Sequence, residues 1–195
     1  MHPTVQLVAG LGNPGDEYAR TRHNAGFWLV DALAVRQCVK LSHARKFKGE
    51  TGELTLGGQS FHLLKPATFM NRSGEAVASA AAFYKIPPDR LLVVHDDIDL
   101  PPGIARLKRG GGAGGHNGLR DIIGALGDNA DFLRLRIGVG HPGQASEVMD
   151  YVLKPPPAAE RKLILEAIDK ALDALPLVLA GELEKAMQRL HTSQA

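Results

Sequence analysis

The chain has one cysteine, Cys38, so no intramolecular disulfide can form. A zinc site built on two or more cysteines is excluded with it. Strong charge of one sign is missing too. Lys and Arg total 23 against 21 Asp and Glu, a formal net charge of +2. That excludes a polybasic binder and leaves any nucleic-acid contact to a local patch. Long apolar runs are absent: the stretch 174–180 contains Pro176 and is far too short to span a bilayer. The opening MHPTVQLVAGLGNPG has neither a charged n-region nor a long apolar h-region. No signal peptide is expected, and the default is a soluble cytoplasmic protein without a membrane partner.

What remains is an ordinary globular composition, 195 residues with 44% hydrophobic. A chain of this length buries roughly 70% of its unfolded surface and needs no covalent or metal staple. Residues 5–9 form a short apolar run ending in a Gly-rich turn and read as a buried strand. Residues 25–36 carry Phe27, Val30, Leu33 and Ala34 at helical spacing. Segments 50–56 and 60–64, separated by Gly57-Gly58, read as a hairpin. Helices are expected at 74–84 and 118–126, and strands at 91–94, 104–108 and 133–139. Two helices split near Pro176 are expected over 158–190. Cys38 lies in a helical pattern and is expected in the core. Strands and helices mix throughout the first 140 residues. This implies an α/β fold, a single domain over 1–195 with a twisted mixed β-sheet, helices on both faces and C-terminal helices from about residue 158.

GLGNPG (10–15) satisfies G-x-G-x-x-G directly after a strand, the form of a dinucleotide-binding turn. Three features oppose that reading. Pro14 removes a donor where backbone N–H groups should face a pyrophosphate. The following DEYARTRHN has no apolar stripe for a phosphate-binding helix. No second strand ends in an acidic residue at the required distance, since Asp31 falls inside the next helix. The second Gly-rich segment, residues 110–118, lacks a Gly-Lys-Ser/Thr ending and is not a P-loop. Both loops still mark sharp bends or close approach.

The five asparagines are Asn13, Asn24, Asn71, Asn117 and Asn129. Asn24, Asn71 and Asn117 stand at helix starts, where Asn is a favoured N-cap. Capping is the reading kept for Asn24. Asn13, Asn71 and Asn117 fall in turns expected at the carboxyl edge of the sheet, where open α/β folds bind ligands. Neutral amides there can orient an ester or amide carbonyl. His23 sits at the threshold of the 25–36 helix, whose positive end disfavours imidazolium. A histidine kept neutral near pH 7 is a competent general base. His2, His43, His62 and His191 have no such context, and His95 and His141 stay undecided. Asp96, directly after the 91–94 strand, can hold one ring nitrogen of His23 and fix its tautomer. A divalent-metal site of Asp96, Asp97 and Asp99 is the rival, weakened because alternation points Asp96 and Asp97 apart. Solvated turn acids suit Asp97 and Asp99. There is no Ser nucleophile in a G-x-S-x-G elbow, so direct attack by water is the simpler hydrolytic chemistry. Arg106 and Lys108, like Arg134 and Arg136, are two apart on strands, which puts each pair on one face. From residue 104 to 141 six Lys or Arg meet three Asp, a local excess suited to a few phosphates.

The pieces GLGNPG (10–15), TRHNAGF (21–27), PATFMNRSG (66–74), HDDIDLPPG (95–103), GGAGGHNGLRDI (111–122) and RLRIGVGHP (134–142) together resemble, in this order, the bacterial peptidyl-tRNA hydrolase family. The resemblance implies a monomeric α/β enzyme without cofactor or metal. It would cleave the ester between a peptide and the tRNA 3′-terminal ribose and so recycle peptidyl-tRNA released from ribosomes. It makes His23 the general base, Asp96 its partner, and Asn117 the residue that positions water or carbonyl. Asn71 would bind the peptide or terminal nucleotide, and Asn13 would help tell a blocked aminoacyl group from a free amine. Tyr18 and Phe69 match substrate-contacting positions, with Met70 and His116 lining the cleft. Lys108 and Arg136 match positions linked to the tRNA 5′-phosphate, beside Arg106 and Arg134. Two other classes stand against it: a non-catalytic RNA-binding relative, and a metal-dependent phosphoesterase on the Asp96–Asp99 cluster. A nucleotide-dependent oxidoreductase falls with the rejected Gly motif.

Overall fold

The computed structural model describes residues 4–192. His2 and the two ends of the expected 1–195 domain lie outside these residues. In chain order the elements are β1 (Leu7–Gly10), α1 (Ala25–Arg36), β2 (Ser42–Ala44), β3 (Gly49–Leu56), β4 (Gln59–Pro66), α2 (Ser73–Tyr84) and β5 (Leu91–Asp97). They continue with β6 (Ala105–Arg109), α3 (Asn117–Ala125), β7 (Leu133–Gly138), α4 (Val148–Val152), α5 (Ala158–Leu179) and α6 (Leu183–Thr192). The seven strands form one mixed sheet in the order β2-β3-β4-β1-β5-β7-β6. Strands β4, β1, β5 and β7 are parallel, while β2, β3 and β6 pair antiparallel.

Strand alternation divides the core between the two faces of the sheet. Val8, Leu63, Leu92, Val94, Leu133 and Leu135 point to the side covered by α1, α5 and α6. Leu7, Ala9, Leu64, Leu91 and Val93 point to α2 and α3, meeting Ala76, Val77, Ala80, Leu119 and Ile122. The central strands are buried on both faces, which is why β1 and β5 read as continuous apolar runs.

The parallel order gathers the ends of β1, β4 and β5 and the starts of α1 and α3 at one sheet edge. Two glycines set how closely α1 approaches. A Cβ on Gly10 would collide with the Gly26 carbonyl, and one on Gly26 with Leu11 N and Val94 O. The helix start therefore rests directly on the ends of β1 and β5. Gly26→Ala should destabilise the protein by ~1–3 kcal/mol through this overpacking. Denaturant unfolding checks it; native stability would mean that the backbone yields freely.

Three expectations need correction. Cys38 is exposed, in a left-handed turn (φ 53°) that closes α1 through Val39 N–H to Ala34 O. It is not a core residue. Pro176 does not split the C-terminal helices. It lies inside α5, and the break comes at Gly181 (φ 78°). A Pro in a helix interior costs about 3 kcal/mol. Leu175, Val178 and Leu179 beside it are all buried, and each contributes roughly 1.5–3 kcal/mol, so burial wins. Finally, β5 runs three residues beyond the expected 91–94, so His95, Asp96 and Asp97 belong to the strand itself. The edge strand β2 and the short helix α4 were not anticipated.

Candidate active site

His23 lies in a 3-10 turn, Arg22–Asn24, immediately before α1. The Gly10–Gly26 approach sets this turn against the end of β5, where Asp96 emerges. His23 Nδ1 stands 3.0 and 2.9 Å from the two carboxylate oxygens of Asp96. Nδ1–H donates to the carboxylate, which leaves the Nε2 lone pair as the basic site. Both groups are buried, and both line a cavity of about 550 Å³.

A second histidine serves the same carboxylate. His116 Nε2–H donates to Asp96 Oδ1 at 2.9 Å, and His116 Nδ1 accepts the N–H of Leu119 at 3.3 Å. His116 is thus the N-cap of α3, a place that helix-start patterns give to Asn117. Burial alone would raise the Asp96 pKa, but His23 and His116 outweigh it and hold the carboxyl well below the usual range. Burial opposes a charge on His23, but the Asp96 charge and hydrogen bonds exceed it, so the His23 pKa is raised. The helix terminus was expected to keep His23 neutral; instead the carboxylate at 2.9 Å outweighs burial and favours the imidazolium. His95, on the same strand, is pushed down to about 3, chiefly by burial. It is neutral, and its Nδ1–H donates to Asp96 O at 2.7 Å.

Of the three amides only Asn117 lines the His23–Asp96 cavity; Asn13 lines a separate pocket with Trp28 and Lys65. Asn13 is buried, and its Oδ1 accepts Met70 N–H at 2.7 Å. Its backbone N–H and C=O are held by the Asn24 side chain at 2.8 and 3.0 Å. Asn24 is therefore no side-chain cap, contrary to the capping reading; it clamps the 10–15 loop. Among the described residues no partner engages Asn13 Nδ2. Asn71 and Asn117 share a groove between α2 and α3, and Asn117 also lines the main cavity. Asn117 Oδ1 accepts from Arg120 at 3.2 Å. Tyr18 and Phe69 meet edge-on with centroids 6.1 Å apart, and Phe69 is 54% exposed. Met70 does not line the cleft: it is 4% exposed, beneath Gly118, where a Cβ would strike its sulfur.

On β6 and β7, Arg106 faces Arg136 and Lys108 faces Arg134, all four on one face. Like charges directly across a ladder repel. Asp97 offsets part of this by accepting from Arg136 Nε at 2.7 Å. Asp97 is thus no solvated turn acid. Arg134 departs from the expected phosphate role. It is 3% exposed, and its guanidinium is spent on the carbonyls of Gly111 and Gly112. It holds the glycine loop, whereas Lys108 is exposed and Arg106 half-buried.

The acids do not converge as a metal site would require. Asp97 is engaged by Arg136 and by Asp99 N–H, and Asp96 by histidines. Among the described residues one cluster, His23, Asp96 and His116, has metal-ligating atom types within 4.8 Å of one another. Within it, His23 Nδ1 and His116 Nε2 each donate to the Asp96 carboxylate, at 2.9 Å.

No helix among the described residues is long and apolar enough to cross a membrane. Residues 7–195 match the family model described as peptidyl-tRNA hydrolase. The chain is 54% identical over 192 residues to the peptidyl-tRNA hydrolase of Yersinia enterocolitica serotype O:8, covering 98% of each. It superposes on the crystal structure of peptidyl-tRNA hydrolase from Acinetobacter baumannii with TM-score 0.92 and 47% identity, covering 95% of this chain and 94% of that one. A structure of a peptidyl-tRNA hydrolase with N-propanol gives TM-score 0.92 and 46% identity at the same coverage. Sequence and structure agree over nearly the whole length, and the chain belongs to the peptidyl-tRNA hydrolase family.

Proposed function

We propose that the chain hydrolyses the ester joining a peptide to the 3′-terminal ribose of tRNA, returning tRNA from peptidyl-tRNA released by ribosomes. The observation that carries this reading is the His23–Asp96 contact at 2.9 Å in a cavity wall. His23 Nε2 takes a proton from water as it attacks the ester carbonyl, and Asp96 stabilises the imidazolium that forms. His116, bound to the same carboxylate, steadies it. An ester is already activated relative to an amide, so an oriented water and one base suffice. Asn117, on the cavity wall, orients the water or the developing oxyanion.

Selectivity then rests on the amides. Asn13 Nδ2 and Asn71 donate to the acylated end of the substrate, where the ammonium of a free aminoacyl-tRNA would be repelled. Tyr18 and Phe69 offer rings to the same region. Lys108 and Arg136 on the cavity wall, with Arg106 beside Arg136 on the ladder, contact phosphate, which is sequence-independent and fits tRNA of any identity. The enzyme acts in the cytoplasm as a monomer. A non-catalytic RNA-binding relative is not favoured, because phosphate contact alone has no use for a buried base–acid pair.

The test is release of N-blocked amino acid from charged tRNA, with unblocked aminoacyl-tRNA as control. Hydrolysis of the blocked ester alone supports the reading; no hydrolysis, or equal hydrolysis of both, contradicts it. Lys108→Ala should raise KM for the tRNA substrate with little change in kcat. The slope of log affinity against log salt should fall by ~0.7–0.9. A loss that is the same at every salt concentration would remove Lys108 from phosphate contact.

A further inference from the structure

Arg22 adjoins the base and takes no part in the chemistry above, yet it is 5% exposed. Its Nη1 donates to the carbonyls of Tyr151 and Lys154 at 3.1 and 3.3 Å, and its Nη2 to Glu160 at 3.0 Å. Its backbone N–H donates to Lys154 O at 3.2 Å. The guanidinium lies 3.9 Å over the Tyr151 ring, and the Tyr151 hydroxyl donates to Val139 O at 2.7 Å. These carbonyls close the C-terminal end of α4, where a cation is favoured. From α4, Val148, Met149 and Val152 line the cavity that holds His23 and Asp96. Residues 143–147 leading into α4 are all exposed, so the wall has little packing of its own.

We infer that Arg22 is a positioning residue that ties the α4 wall of the substrate cavity to the turn carrying His23, through its fork onto the Tyr151 and Lys154 carbonyls. The geometry suits arginine. Its Nη1 bridges two carbonyls while Nη2 holds the carboxylate and the guanidinium plane lies on the ring; a lysine ammonium gathers its three donors on one atom and has no plane to stack. The competing account is a half-exposed ion pair with Glu160 that serves stability only.

The inference rests on the proposed use of this cavity, so its test has an arm that needs no activity. Full-length wild type, Arg22→Lys and Glu160→Gln are compared by steady-state hydrolysis of N-acetylated aminoacyl-tRNA and by amide hydrogen exchange. Arg22→Lys keeps the buried charge and loses the fork. It should raise KM about tenfold, as expected for loss of a charge-assisted hydrogen bond that holds the wall. Exchange across 148–154 should accelerate while β1 and β5 stay protected. Glu160→Gln leaves the fork and should keep KM within about twofold. A purely structural role would lower the active fraction at unchanged KM. Unchanged KM or unchanged exchange in Arg22→Lys overturns the inference, as does an equal KM rise in Glu160→Gln. If wild type fails to hydrolyse the substrate, the proposed activity falls, and exchange alone decides the tie between Arg22 and α4.

Discussion

His23→Ala should fold normally, bind tRNA with native affinity, and lose kcat by about 10²–10⁴-fold, the usual contribution of a positioned general base. The imidazole is small and stands at a cavity wall, so its removal vacates space without breaking a strand ladder. The phosphate contacts proposed for Lys108, Arg106 and Arg136 belong to β6 and β7 and are untouched. The cost falls on the transition state, where proton transfer to Nε2 no longer accompanies attack. Single-turnover hydrolysis of N-acetylated aminoacyl-tRNA, with tRNA binding measured in parallel, checks both halves. Native turnover in this variant would take His23 out of the reaction; lost binding would mean that the residue shapes the fold.

Asp96→Asn should be nearly as damaging, for a different reason. The amide keeps the size of the carboxylate and loses its charge. The imidazolium formed during reaction is then unsupported, and Nδ1 is no longer held as the protonated nitrogen. The sign of the pH effect follows from the raised His23 pKa. In the wild type the base is free only above that raised value, so the acid limb of kcat/KM lies above the ordinary imidazole range. Asp96→Asn removes the influence that raises it, and burial, which lowers it, remains. The acid limb should shift to lower pH while the plateau drops by about 10²–10⁴-fold. A reduced rate with an unmoved limb would mean that Asp96 does not tune His23.

The sequence carried the frame of this site but not its wiring. Alternation and apolar runs revealed the strands, and α1 has the bounds its periodicity predicts. His23 and Asp96 were legible because each stands next to a strongly patterned element, and the order of the strands brings their ends together. Asn24 was misread because a helix-start preference is local, while its true partner, Asn13, lies 11 positions back in a separate turn. Arg134 was misread because period-two spacing gives the face of a side chain, not what covers it. The glycine loop folds over Arg134 and leaves Lys108 open. His116 left no capping signal, since histidine is not among the favoured N-cap residues. Cys38 stands in a left-handed position that Gly usually fills, so the helical pattern seemed to run past its real end.

The central claim is that His23 is a neutral base, protonated on Nδ1 toward Asp96, with Nε2 bare. Nitrogen NMR of imidazole-labelled enzyme measures this directly, followed through the pH range in which kcat/KM is recorded. The account predicts an Nδ1–H tautomer above the transition and an ionisation above the ordinary imidazole value that coincides with the kinetic acid limb. A proton on Nε2, or an ionisation of His23 that does not follow the kinetic limb, would contradict it.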